Sequence, residues 1–304
     1  MQGLTKFIMH SNVADILHQL DAMLNVHDDG ERPGFLLLLG LPRTGKKKVV
    51  SYWLDEECSA AVHRQGERPP ILDVAAWLPH GARFGRGVYV TPKTCMVFSE
   101  MVYSLGKLST RYAPTYTRTW YRQPRSLYTD SQFTSLFAFT RSELHRFRMR
   151  TIVIRNAHLL DTCALEMLQH IRDESRKQIS FIFVAHMQEH ASIDEPLADE
   201  FLRVPEAGKE CVRIELQRLT EREYVTVVLD AVLNDLNLFF AEDVADDRVV
   251  RQLAHAFWHR TQYDWKQIND IALEIRRKVP PNTAGERVVT RALLEQLLNY
   301  SFAT

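Results

Sequence analysis

At 304 residues, with 45% hydrophobic and 25% charged side chains, the chain suits one large or two smaller globular domains and excludes a disordered or fibrous protein. Thirty-eight Lys and Arg offset 38 Asp and Glu, so net charge selects no partner. Four scattered cysteines exclude a disulfide scaffold and a zinc-type C-x-x-C pattern. Met1 to His10 lacks a signal-peptide hydrophobic stretch, no apolar run approaches the roughly 20 residues of a membrane span, and a reduced cytoplasmic setting is expected.

In chain order, Ser11 caps a predicted helix with Val13, Ile16, Leu17, Leu20 and Leu24 on one face. Gly30 to Gly34 breaks the chain before the apolar strand Phe35–Leu39. A loop, Gly40-Leu41-Pro42-Arg43-Thr44-Gly45-Lys46-Lys47, then leads into a helix through Val49, Val50, Tyr52, Trp53 and Leu54. Ile71–Trp77 and Gly87–Val90 are candidate strands. A helix through Val97, Met101, Val102 and Leu105 is expected to stop at Gly106, and Ser131 to Met149 returns to helical spacing. Thr151–Ile154 and Ile179–Val184 are short buried strands flanking a helix over Leu159–Ile171, and Val212–Leu216 alternates like an edge strand. Strands alternating with helices predict a three-layer α/β core with a parallel sheet. From Thr220 the pattern becomes helical. Thr220-Glu221-Arg222-Glu223 has capping-box form, and further helices are expected over Asp247–His259, Trp265–Val279 and Thr290–Tyr300. The boundaries drawn are residues 1–217 for the core and 218–304 for a helical lid.

Gly40–Lys47 carries the chemistry. It fits G-x-x-x-x-G-K-[ST] at seven of eight positions, between a buried strand and a helix. Such a loop holds phosphate because successive backbone N–H groups point inward and the following helix presents its positive end. Gly40, Pro42, Arg43, Thr44, Gly45, Lys46 and Lys47 are the nucleotide-binding candidates, with Lys46 reaching the β and γ phosphates. The competing reading is a tight strand-to-helix turn with incidental lysines. Lys47 stands where a hydroxyl would ligate magnesium. A lysine repels that ion, although it can neutralise phosphate itself. A magnesium-dependent ATPase also needs a carboxylate at the end of a later strand. The strand Thr151–Ile154 runs instead into Arg155 and Asn156, followed by Ala157, His158, Leu159 and Leu160. Asp161 is the nearest acid, a helical turn too late.

In this order the segments resemble AAA+ ATPases of the TniB/TnsC type, which regulate DNA transposition, and are similar to the broader origin-recognition-like AAA+ group. Gly40–Lys46 matches the phosphate loop, and Val88-Tyr89-Val90 with the helix ending Leu105-Gly106 resembles the family's second strand and helix. Ile152–Leu160 looks like the acidic strand with its acids replaced. Phe181–Ala185 followed by His186 resembles the strand bearing a sensor of the γ-phosphate. Leu197–Arg203 resembles the segment that often carries an arginine finger, Arg203. Leu216–Thr220 looks like the start of the lid. Tyr263–Ile268 resembles the second sensor motif, with Lys266 at its basic position. The resemblance implies a P-loop AAA+ core with an all-helical lid, ATP or ADP as cofactor, a homo- or hetero-oligomer, DNA binding, and a protein partner such as a transposase or a related AAA+ subunit. It does not establish hydrolysis, because the magnesium-related residues are replaced.

From Gly81 to Arg150 the chain carries 12 Lys/Arg against 3 Asp/Glu. Within this stretch, Arg111, Arg118, Trp120, Tyr121, Arg122 and Arg125 interleave arginines with aromatics and no carboxylate. That pattern suits phosphate neutralisation with base stacking, a protein interface, or an irregular loop folded back on the core. No metal site is expected, and His186 with His190 is singled out as a histidine pair at i, i+4 spacing. Three functions stay open. One is an ATP-binding regulator of DNA transactions with hydrolysis weak or lost. The second is a non-hydrolysing pseudo-ATPase serving as a structural subunit. The third, ranked last, is an active ATPase with unusual residues.

Overall fold

A computed structural model describes residues 9, 11–24, 33–65, 71–76, 92–108, 130–187, 211–220, 223, 234–235, 237–241, 255, 259–261 and 265–298. Backbone proximity groups the chain into two units. One comprises Ile16–Pro42 and Val49–Glu215; the other comprises Met1–Asp15, Arg43–Lys48 and Leu216–Thr304.

The first unit is built on a five-stranded, all-parallel sheet. Its strands are β1 (Phe35–Leu39), β2 (Ile71–Ala75), β3 (Thr151–Arg155), β4 (Ser180–Val184) and β5 (Cys211–Glu215), in the order β2-β3-β4-β1-β5. The two strands at the centre, β4 and β1, are buried along their whole length, as their unbroken apolar sequences require. The expected edge strand at Val212 is an edge, with Val212 itself 45% exposed. Beside β3 lies Ile71–Ala75, whereas Val88–Val90, offered above as the family's second strand, falls outside the described residues.

Side-chain alternation sorts the sheet into two faces. Leu72, Val74, Ile152, Ile154, Phe181, Phe183, Phe35 and Leu37 point to one face and form the main core with residues of three helices. These are α3 (Pro92–Leu108), α4 (Asp130–Arg146) and α5 (Thr162–Glu174), which supply Val97, Phe98, Met101, Val102, Leu136, Leu144, Leu165 and Leu168. Gly106 does not stop α3, which continues to Leu108. The helix-breaking cost of one glycine, about 1 kcal/mol, is small beside the burial of Met101, Val102 and Leu105.

On the opposite face, Asp73, Val153 and Arg155 share an orientation. The helix α2 (Lys46–Gln65), which follows the phosphate loop, sends Ser51 toward that face. α2 is joined to the preceding helix α1 (Ser11–Ala22) by Trp53, whose indole N–H donates to Asp21 Oδ1 at 2.8 Å.

The start of α5 differs from the sequence expectation. Ala157–Leu159 form a single 3-10 turn, Leu160 is extended, and Asp161 caps the helix, its Oδ1 accepting from the Ala164 N–H at 3.0 Å. Asp161 also accepts from Thr94 Oγ1 at 3.4 Å. An N-cap aspartate satisfies orphan amides and favours the helix dipole, so this acid has a structural task.

In the second unit the predicted capping box is formed. Thr220 N–H donates to Glu223 Oε2 at 3.0 Å and Glu223 N–H to Thr220 Oγ1 at 3.3 Å. α6 (Trp265–Lys278) buries Ile268, Ile271, Ala272 and Ile275, a helical stripe, and α7 (Arg291–Leu298) follows. To these helices the structure adds a two-stranded parallel pair, β6 (Leu238–Phe240) with β7 (Arg287–Val289), which the helical spacing did not reveal. Both strands are only three residues long, too short for a period-2 signal.

Candidate nucleotide site

The loop leaves the C-terminal end of β1, the edge of a parallel sheet where ligands of such folds bind. Its backbone makes a tight turn. Arg43 adopts φ 65° and Gly45 φ 99°, and the Lys48 N–H donates to Gly45 O at 2.7 Å as α2 begins. A left-handed residue within such a turn points neighbouring amides to one side, the geometry of an anion nest. Gly45 occupies a conformation that a Cβ would strain, whereas Arg43 carries that cost. On the sheet side, Gly40 O accepts from the Met187 N–H at 3.0 Å, tying the loop's first residue to the end of β4.

The candidate side chains divide sharply by exposure. Thr44 and Lys46 are buried, at 6% and 4% exposed, and Lys46 Nζ donates to Thr44 Oγ1 at 3.4 Å. Pro42, Arg43, Lys47 and Lys48 are exposed. Burial lowers the Lys46 pKa from 10.5 to about 8, because the ammonium gives up water. An anion in the loop would offset the hydration that burial removes. Phosphate affinity is therefore expected to fall about tenfold between pH 7 and pH 9, as the charged fraction of Lys46 falls through its pKa of about 8. Titration calorimetry at the two pH values checks this, and a flat profile would show that Lys46 plays no part in binding.

The end of β3 is arranged quite differently from a magnesium site. Arg155 and Asn156, at the positions where acids are expected, are both engaged in hydrogen bonds. Arg155 Nε and Nη2 donate to Asp73 Oδ1 and Oδ2 at 2.8 and 2.9 Å, a forked ion pair across β2 and β3. Its Nη1 donates to Ser51 Oγ on α2 at 3.2 Å. Ala75 is the register partner of Arg155, so Asp73 lies two residues back on the same face, within reach of a long side chain. Asn156 has the left-handed φ of 57°, and its amide donates to Ala76 O at 3.2 Å. Magnesium requires oxygen donors, usually carboxylates with waters. Here Asp73 is held by Arg155 and Asp161 by the α5 N-terminus, and among the described residues no group of three or more His, Cys, Asp or Glu could hold a metal. These residues do not fit a magnesium ion.

Asp73 and Ser51 were not singled out in the sequence. Their signal was weak: Asp73 is one acid within a candidate strand, and only the β2–β3 register pairs it with Arg155.

His186 lies just beyond β4 and is exposed, its ring centroid 4.7 Å from that of His158 and tilted by 56° to it. β4 sits between β1 and β3. Lys266 is exposed on α6. Arg203, His190 and the nucleic-acid candidates Arg111, Arg118, Trp120, Tyr121, Arg122 and Arg125 lie outside the described residues. No helix among the described residues is long and apolar enough to cross a membrane.

No family model and no curated protein matches the chain. Solved structures do. The ORC2 protein of Aeropyrum pernix, solved as ADPNP–ADP complexes, aligns with a TM-score of 0.57 at 11% identity, covering 99% of this chain and 71% of that one. The ORC1 protein of Aeropyrum pernix, solved in complex with DNA, aligns at 0.53 and 15% identity, covering 94% and 63%. Cdc6p of Pyrobaculum aerophilum aligns at 0.54 and 16% identity, covering 90% and 65%. At such identities the likeness is one of fold. Together with the strand order and the loop that leaves β1, it gives this chain an AAA+ architecture of the ORC/Cdc6 kind.

Proposed function

We propose that this chain is a nucleotide-binding AAA+ module of DNA transactions that hydrolyses ATP weakly or not at all. The observation that carries the reading is the buried Lys46 in a left-handed, glycine-containing turn directly after a central parallel strand. A buried ammonium with a depressed pKa is costly unless an anion repays it. The nucleotide complex of the ORC2 neighbour supports ATP or ADP as that anion. Fluorescent ADP or ATP should bind the purified chain saturably, and unlabelled nucleotide should displace it. Failure to bind either nucleotide would remove the reading.

DNA is the second proposed ligand. The DNA complex of the ORC1 neighbour supports it, and so does the run from Arg111 to Arg125, with its arginines and aromatics. Affinity for a duplex should then fall steeply with salt. Replacing Arg118, Arg122 and Arg125 by Gln should reduce the log–log slope by roughly 2–3, close to one per lost phosphate contact. An unchanged slope in the triple variant assigns DNA binding elsewhere. A transposition-type role, an oligomer, a transposase-like or AAA+ partner, and a cytoplasmic setting complete the proposal, resting on the sequence resemblance.

The second reading is a pseudo-ATPase used as a structural subunit. The observation that favours it is the forked Arg155–Asp73 pair at the position of the missing acids. A turnover assay separates the two: magnesium-dependent phosphate release above background would exclude the pseudo-ATPase.

A further inference from the structure

We infer that His255 and His259 form a two-nitrogen site for a divalent transition-metal ion, copper(II) or nickel(II), held in tetragonal geometry. Neither the nucleotide reading nor the DNA reading uses these two residues.

Both histidines belong to the second unit. Both have helical backbone, and a spacing of four places them one above the other on the same helix face. Their ligating atoms meet there: Nε2 of His255 lies 3.0 Å from Nε2 of His259. The ring centroids are 4.3 Å apart, and the ring planes stand at 85° to each other. One shared proton holds two imidazole nitrogens at such a distance. It does not explain the placement of the rings. A straight N–H···N bond of that length sets the centroids about 5.3 Å apart, so this contact is strongly bent.

The bend is the one a metal ion requires. Two nitrogens bound at about 2.0–2.1 Å to one ion are about 2.9 Å apart when the bonds meet at a right angle, and about 3.3 Å apart at the tetrahedral angle. With the rings on the same bond axes, their centroids are about 4.5 Å apart in the first case and about 5.2 Å in the second. The observed 3.0 and 4.3 Å fit the right angle. Nitrogen donors at right angles suit the square-planar or tetragonal preference of copper(II) and nickel(II), whereas zinc favours the tetrahedron. Magnesium and calcium take oxygen donors and are not served by this pair.

Both side chains are exposed, so an ion can enter and water can fill its remaining positions. Arg260 is exposed too, but as the next residue it sits about 100° round the helix from His259. The bound ion would join two positions one turn apart and so stabilise that turn.

The test is calorimetric titration of the untagged full chain with copper(II), nickel(II), zinc(II) and magnesium chlorides, with electron paramagnetic resonance on the copper sample. It is run at about pH 7.5, where an ordinary imidazole is mostly neutral. One tight ion per chain is expected, with affinity falling from copper through nickel to zinc and no magnesium bound. The copper spectrum should be tetragonal, with coupling to two imidazole nitrogens. His255→Gln and His259→Gln should each weaken copper binding by at least about tenfold, the cost of losing even an outer partner of a metal ligand. His145→Gln, at an exposed histidine on α4, should leave it unchanged. Equal losses in all three variants would mean diffuse binding by surface histidines and would overturn the inference. So would unchanged affinity in both pair variants, zinc binding as tightly as nickel, or a copper spectrum without coupling to two nitrogens. Should one pair variant fail to fold, the other and the wild-type spectrum decide.

Discussion

Lys46→Met is expected to abolish nucleotide binding and, at the same time, to make the protein more stable. The two effects have one cause. Lys46 is 4% exposed, and burial lowers its pKa from 10.5 to about 8. Folding thus costs free energy wherever the side chain must be charged in the native state. Between about pH 8 and 10.5 the unfolded chain binds more protons here than the folded chain. By linkage, the penalty is fully present below pH 8 and is relieved as pH rises through that window. One pH unit corresponds to about 1.4 kcal/mol. Even half of the shift from 10.5 to about 8 makes the methionine variant more stable at pH 7 by about 1–2 kcal/mol. Methionine has a similar length and keeps the packing of the stem. The ligand loses its charge-assisted contact in a desolvated place, where such contacts are strongest, and affinity should fall by about a hundredfold or more. Calorimetry with ATP, paired with thermal melts at pH 7, reads both. A variant that binds normally removes Lys46 from the site. A variant that binds poorly and also melts lower would mean that Lys46 serves the fold rather than the ligand.

Phe181→Ala carries the largest expected stability loss, about 3–5 kcal/mol. Phe181 is fully buried at the centre of the sheet, on β4. Its ring stacks on Phe35 of β1 at 5.6 Å and lies 6.2 Å from Phe183 along its own strand. Phe35 and Phe183 are themselves stacked at 5.9 Å. Removing this ring loses its transfer free energy, two aromatic contacts, and the support of the helices above, and a parallel sheet fixed on both sides relaxes little into the space. Urea denaturation of the purified chain measures the change. Val212→Ala is the control: this residue is 45% exposed on the edge strand β5, and its loss should stay within about 0.5 kcal/mol. A Phe181→Ala loss below about 1 kcal/mol would mean that the three phenylalanines do not form a tight cluster.

The sequence by itself determined the architecture of the core and the character of its loop. Phe35–Leu39, Thr151–Ile154 and Ile179–Val184 are runs of apolar residues too short for helices and too continuous for a half-exposed sheet, so they had to be buried parallel strands. Gly45 was legible as part of a glycine-containing loop, and its φ of 99° is a conformation that glycine tolerates. The box at Thr220 and Glu223 was legible because its partners are three residues apart and need no tertiary context. That Arg155 and Asn156 stand where the resemblance expects acids concerns residue type alone and needs no tertiary context.

What those residues do was decided only in three dimensions. Asp73 lies 82 positions from Arg155 and Ser51 lies 104 positions from it. Their meeting depends on β2 lying beside β3, in a register that puts Asp73 and Arg155 on one face. No local pattern encodes that choice. The same holds for Asp161, which reads as a stray acid in the sequence and caps α5 once the helix start is fixed at Thr162. The short pair of β6 and β7 joins segments 49 positions apart at Leu238 and Arg287, and its three-residue strands carry no period of their own. Local chemistry named the candidate phosphate residues, and long-range pairing fastened the Arg155 guanidinium to Asp73 and Ser51.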